Sequence, residues 1–138
     1  MIEITIPGKP IAKKRPRFAR RGKYVTTYND QEAEEGKFLV HVRQQFDGQP
    51  FSCPLDVKMF CFMPRPASHY GTGRNLGKLK KSAPVLPGKK PDIDNLVKFA
   101  LDCMNDVVYL DDSQIVSILA VKAYGGTPKT IIQITEAT

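Results

Sequence analysis

Pro91-Asp-Ile-Asp-Asn-Leu-Val-Lys-Phe-Ala-Leu-Asp-Cys-Met104 is the segment on which the fold turns. Ile93, Leu96, Val97, Ala100, Leu101 and Met104 fall at i, i+3, i+4, i+7, i+8 and i+11. That is the period of a helix with one apolar stripe against a core. Pro91 suits the lead-in and Asp94 the N-cap position. The polar face carries Asp94, Asn95, Lys98, Asp102 and Asn105.

Downstream, Val107 to Leu110 leads into Asp111-Asp112, and a strand is expected from about Gln114 to Tyr124. Gly125-Gly-Thr-Pro128 is a turn, and residues 129–135 alternate as a last strand. Upstream, Pro54 to Met63 reads as a strand with Leu55, Val57, Met59 and Cys61 on one face. Phe60 and Phe62 on its other face predict that part of it is covered on both sides. An earlier helix opens at Asn29 or Asp30 and runs to about Phe46, with Phe38, Leu39, Val42 and Phe46 on one face. Glu32, Glu34 and Glu35 favour its first turn, and Gly48 stops it. Residues 2–6 alternate as a half-buried strand closed by Pro7-Gly8. The order β-α-β-α-β-β predicts an α+β fold: one domain over residues 1–138, with a mixed sheet of about four strands and two helices.

Composition narrows the class. The chain has 138 residues, 41% of them hydrophobic, enough for one modest core. No apolar run approaches the length of about 18 residues that a membrane span needs. Met1-Ile-Glu-Ile-Thr-Ile6 lacks the charged start of a signal peptide, so a cytoplasmic protein is expected. Cys53, Cys61 and Cys103 are odd in number and lack CxxC spacing, as suits reduced, structural thiols. With only His41 and His69 beside them, a structural zinc site is not expected.

Charge is sorted along the chain. The net charge is +7, yet Lys9–Lys23 holds eight Lys/Arg and no acid, and residues 64–90 hold seven and no acid. The first segment reads as a proline-interrupted arm, extended or looping. Tyr24-Val-Thr-Thr-Tyr28 continues it or forms a short edge strand. The second is a Gly-, Pro- and Lys-rich loop long enough to be functional or disordered. Neutralising backbone phosphates releases counterions, so nucleic acid is the natural partner of such segments. Candidate contacts are Lys13, Lys14, Arg15, Arg17, Arg20, Arg21 and Lys23 in the arm, and Arg74, Lys78, Lys80, Lys81, Lys89 and Lys90 in the loop. Arg15 and Arg17, around Pro16, are the first candidates for backbone clamps.

Against this basic background Asp92, Asp94, Asp111 and Asp112 lie within 21 residues. Asp92 and Asp94 flank one residue at a loop-to-helix junction, and Asp111-Asp112 sit before the strand that follows the helix. If the helix turns back to feed that strand, the clusters converge. Carboxylates so close repel unless a divalent cation lies between them. All-oxygen ligation selects Mg²⁺, with Mn²⁺ able to substitute. The alternative is a helix cap beside a solvated loop. Lys98, one turn beyond Asp94, is either an ordinary i, i+4 partner or a cation that stabilises charge on a reacting phosphate. Asp102 reads as a surface or supporting residue.

Lys90-Pro-Asp-Ile-Asp-Asn-Leu-Val-Lys-Phe-Ala-Leu-Asp102, followed by Val108-Tyr-Leu-Asp-Asp-Ser-Gln-Ile-Val116, resembles the signature of the RusA family of Holliday junction resolvases. Gly8-Lys-Pro10, Lys14-Arg-Pro-Arg17 and Tyr24-Val-Thr-Thr27 extend the resemblance over most of the chain. It implies a small homodimeric, magnesium-dependent endonuclease that cuts four-way DNA junctions, of a kind often carried by prophages. By position, the metal-binding and catalytic aspartates would be Asp92, Asp94 and Asp112, with the adjacent Asp111 as an additional candidate, and the lysine of the motif would be Lys98. Residues 64–90 depart from the pattern by being longer than in compact members. A non-catalytic junction-binding module and a broader structure-selective nuclease are the alternatives. A PD-(D/E)xK nuclease would need acid-x-Lys, and Asp112-Ser-Gln114 supplies no lysine.

Overall fold

A computed structural model describes residues 1–15, 17–22, 24–28 and 30–138; for residues 17–19, 21 and 24–28 it describes the backbone alone. Lys23, Pro16 and Asn29 therefore lie outside the described residues, as do the side chains of Arg17 and Arg21.

The elements are β1 (Ile2–Pro7), β2 (Arg17–Arg21), β3 (Tyr24–Tyr28), α1 (Glu32–Gln45), β4 (Leu55–Met63), α2 (Ile93–Cys103), β5 (Ile115–Tyr124) and β6 (Lys129–Glu136). Four strands form one mixed sheet in the order β1-β6-β4-β5, as expected for an α+β domain. β6 pairs antiparallel with β1 and β4, whereas β4 and β5 run parallel, with α2 in the crossover between them. A parallel pair needs such a crossover, which is why α2 returns beside β5. The arm is more structured than a loop: β2 and β3 pair antiparallel in a two-stranded sheet, separate from the main sheet among the described residues. Tyr24–Tyr28 is thus a strand, but not an edge of the main sheet.

Register explains the core. Ile4, Ile132, Met59 and Ala120 are aligned across the sheet, as are Ile2, Ile134, Val57 and Ile118. On that face Ile4, Val57, Met59, Ile132 and Ile134 are buried against Phe38 and Val42 of α1 and Leu96, Phe99 and Ala100 of α2. Phe38 meets Phe99 edge to face, with centroids 5.6 Å apart. The opposite face carries no helix layer among the described residues, so the expected two-sided cover of part of β4 is only partial and local. Leu119 and Val121 are exposed there, and Phe60 and Phe62 are only half-buried. Phe62 is covered locally, by the turn at Gly125 and by Lys129, whose Nζ lies 5.7 Å from its ring centroid.

Two polar clamps went unread in the sequence. Gln31 is buried, accepting at Oε1 from the Lys14 N–H and donating to the Ala12 carbonyl, which fixes the start of the arm to α1. Gln45 bonds both backbone groups of Thr5, satisfying part of the otherwise unpaired edge of β1.

All three cysteines are free. Burial pushes the thiol of Cys61 up to about 11 and that of Cys103 up to about 12. Both are protonated at pH 8 in the fold and gain thiolate character on unfolding, when the pKa falls back. Iodoacetamide at pH 8 is therefore expected to label these two only after urea is added, as read by peptide mass spectrometry. Fast labelling in native buffer would show that they are not packed this way.

Candidate active site

The acidic residues are placed by the two ends of α2 and by the turn that feeds β5. The helix begins at Ile93, so Asp92, not Asp94, takes the N-cap position, and its carboxylate makes no cap hydrogen bond. Asp94 is the second helical residue; its Oδ1 accepts from the Asn95 N–H at 3.0 Å. After α2 the chain reverses through Asp106, whose φ of 63° is a left-handed conformation. Tyr109, fully buried, locks this reversal by donating its hydroxyl to the Leu101 carbonyl at 2.5 Å. Burial, and then the carboxylates of Asp112 and Asp102, push its hydroxyl far above the ordinary phenol range. Asp102 of α2 and Asp112 of the following turn are therefore both felt at one buried hydroxyl.

The next turn separates the paired aspartates. Asp111 precedes a short 3-10 turn (Asp112–Gln114), and its carboxylate accepts from the Ser113 N–H at 3.1 Å. Hydrogen bonds from Ser113 hold Asp111 below the usual carboxylate range. Gln114 accepts from the Asp111 N–H and donates to the carbonyls of Phe51 and Cys53. Asp111 is thus committed to the turn, and Asp112 is left for the site.

Asp94, Lys98, Asp102 and Asp112 border one depression of about 440 Å³ between α2 and β5, floored by Ile93, Val97, Leu101, Ile118 and Ala120. Three of the apolar positions from the sequence stripe therefore floor this site, while Leu96, Phe99 and Ala100 make the core. Asp102 is the member that sequence reasoning left outside; its place two turns beyond Asp94 was the available signal. Lys13 reaches its carboxylate at 3.5 Å. Among the described residues Lys98 forms no ion pair with Asp94 or Asp102, so its charge is not spent in a helix-surface bridge.

The donor chemistry fits a hard divalent cation: carboxylates line the depression, without thiol or imidazole. The grouping differs from expectation. Asp94 and Asp112 share the depression, Asp92 is not part of its lining, and no three His, Cys, Asp or Glu among the described residues stand close enough to hold one ion. Carboxylates without a cation between them repel, and exposed side chains at a helix start are free to separate.

The basic candidates divide. Lys13 bridges Glu35 at 3.8 Å and Asp102, and Lys14 reaches Glu34 at 3.8 Å, so both are partly engaged within the protein. Arg15 and Arg20 are exposed, as are Arg74, Lys78, Lys80 and Lys81 on the long loop and Lys89 and Lys90 just before Asp92. That loop folds on itself through 3-10 turns at Ala67–His69 and Gly73–Asn75 and bridges between Tyr70 and Leu79 and between Gly71 and Leu76. No helix among the described residues is long and apolar enough to cross a membrane.

The structure thus describes a small α+β domain with an acidic depression between α2 and β5 and exposed basic residues on the arm and the long loop. The chain belongs to the RusA endodeoxyribonuclease family, whose sequence model matches residues 7–135. It is also 29% identical over 137 residues to the uncharacterized protein YqaN of Bacillus subtilis (strain 168), an alignment covering 98% of this chain and 96% of that one.

Proposed function

We propose that the protein is a divalent-metal-dependent endonuclease that resolves four-way DNA junctions by paired incisions, acting as a homodimer in recombination or repair. The observation that carries this reading is the meeting of Asp94, Asp112 and Lys98 at one depression, with Asp92, whose carboxylate makes no cap hydrogen bond, two residues before Asp94. Asp92, Asp94 and Asp112 would hold Mg²⁺ or Mn²⁺. A cation bound there supplies an activated water and polarises the phosphate. The chain's own contribution is orientation and charge. The turn built on Asp111 and Gln114 fixes Asp112, the buried Tyr109 fixes the reversal beneath it, and Lys98 offsets charge developing on the phosphate oxygens. Two symmetric cuts call for one site per protomer around a two-fold axis. The exposed cations of the arm and long loop grip backbone phosphates.

The separation of the three carboxylates favours, as second reading, a module that binds junctions without cutting them. Incubation with a mobile four-way junction and with linear duplex, with Mg²⁺ or with EDTA, separates the two. Symmetric nicks on the junction only, and only with Mg²⁺, are expected. Junction binding without cleavage would leave the second reading, and equal cutting of duplex would refute junction selectivity.

A further inference from the structure

On the other side of Pro91 from the acidic depression lies a second one of about 380 Å³, lined by Lys9, Arg65, His69, Lys89, Lys90 and Lys122 and, among the described residues, by no carboxylate. It is built rather than incidental. The Arg65 guanidinium lies 4.2 Å from the Tyr124 ring centroid and donates from Nη1 to the Pro84 carbonyl at 2.7 Å. The same nitrogen lies 3.2 Å from His69 Nδ1. A guanidinium can only donate, so Nδ1 accepts and the imidazole keeps its proton on Nε2, as a further donor. Lys122 is the one charged residue of β5 and aligns with Cys61. It donates to the carbonyls of Lys89 and Pro91, both at 2.9 Å, and so holds the segment that ends at Asp92.

Among the described residues none of these cations is in an ion pair. Like charges gathered around one cavity repel, and an anion seated among them removes that cost. His69 reports the same field, being held below its ordinary pKa by burial and then by Arg65, Lys89 and Lys80. The cavity exceeds what a lone phosphate fills, and Tyr124 with the prolines on its wall offers apolar surface to a sugar or base. Pro91, on the same wall, is the residue before Asp92.

We infer that this depression seats a backbone phosphodiester of the DNA strand next to the bond being cut, with Arg65 as its anion-binding residue and Lys122 as the residue that positions the wall. The inference rests on the nuclease reading for its ligand, and adds to it a second phosphate contact that holds the strand without taking part in the bond broken. No sequence signal set Arg65 or Lys122 apart: the first is one of seven cations in its segment, the second a lone charge in an apolar strand.

The chain's two histidines make the test clean, because His41 on α1 serves as internal control. Imidazole NMR signals are followed while thymidylyl-thymidine, with its single phosphodiester, or inorganic phosphate is added. Saturable movement of His69 with the dinucleotide is expected while His41 stays still, with binding at least about fivefold weaker in Arg65→Gln and restored by Arg65→Lys. Equal movement of both histidines, or saturation by inorganic phosphate with the dinucleotide excluded, would overturn the assignment. On the junction with Mg²⁺, Arg65→Gln is expected to raise KM about tenfold with kcat unchanged, the mark of lost uniform binding, whereas Arg43→Gln on α1 behaves as wild type. If the wild type binds the dinucleotide at His69 but cuts no DNA, the nuclease reading fails and the pocket stands. If it cuts DNA with His69 silent and KM unmoved by Arg65→Gln, the pocket fails and the nuclease stands.

Discussion

Asp112→Asn is expected to slow junction cleavage by at least roughly a thousandfold while junction affinity is not weakened. The substitution keeps the size of the side chain and removes one charge from the depression it shares with Asp94. Loss of that charge removes a ligand for the cation and leaves the basic segments untouched. The neighbouring substitution gives the contrast. Asp111 spends its carboxylate on the Ser113 N–H, so Asp111→Asn is expected to weaken that cap only slightly, with cleavage within severalfold of wild type. Gel-shift affinity and single-turnover cleavage of one junction, measured on both variants, decide the matter. Wild-type cleavage by Asp112→Asn would remove Asp112 from the chemistry. A crippled Asp111→Asn would mean that the paired aspartates share the work.

The contrast between these neighbours shows where the sequence stops being informative. Asp111-Asp112 stands out as an acidic pair, but which member faces the site depends on the Ser113 and Gln114 hydrogen bonds of the following turn. The same holds at the other end of the motif. Asp92 and Asp94 are both good capping residues by type, and the one-residue choice between them depends on where the backbone leaves the extended region. Elements with strong periodicity were legible: both helices and the four sheet strands stand within about two residues of expectation, because burial on one face imposes a period that the sequence must carry. The hairpin of β2 and β3 was not. Among the described residues its two strands pair with each other and not with the main sheet, so the sheet's register imposes no period on them. The apolar stripe of α2 was real but serves two surfaces. Ile93, Val97 and Leu101 floor the acidic depression, and Phe99, absent from the stripe, belongs to the core. A count of apolar positions cannot divide an arc between two neighbours; only the packing of α1 on one side and β5 on the other does so. The gathering of Arg65, His69, Lys89 and Lys122 was hidden for a similar reason, since it joins a loop to a strand far along the chain.

Phe99 is where that division has its largest energetic consequence. Its side chain is 1% exposed and meets Phe38 edge to face, the aromatic contact that ties α2 to α1 above the sheet. Phe99→Ala removes the ring from a closed core, losing transfer free energy and leaving a cavity, for a cost of about 3–5 kcal/mol. That is a large share of the roughly 5–15 kcal/mol by which such domains are stable. A fall in Tm of more than about 10 °C is expected by calorimetry. Val40→Ala, at a position 55% exposed on α1, is expected to stay within about 0.5 kcal/mol of wild type. The effect should reach the site as well, because α2 carries Asp94 and Lys98 on the side facing β5 while Phe99 anchors its other side. At temperatures where Phe99→Ala remains folded, its junction affinity should hold, since the basic segments are unchanged, while its cleavage rate falls. An unchanged Tm would mean that α2 is not seated on α1 in this way. A lowered Tm with wild-type cleavage below it would mean that the acids are held by the turn at Asp111 and Tyr109 alone, without help from the helix anchor.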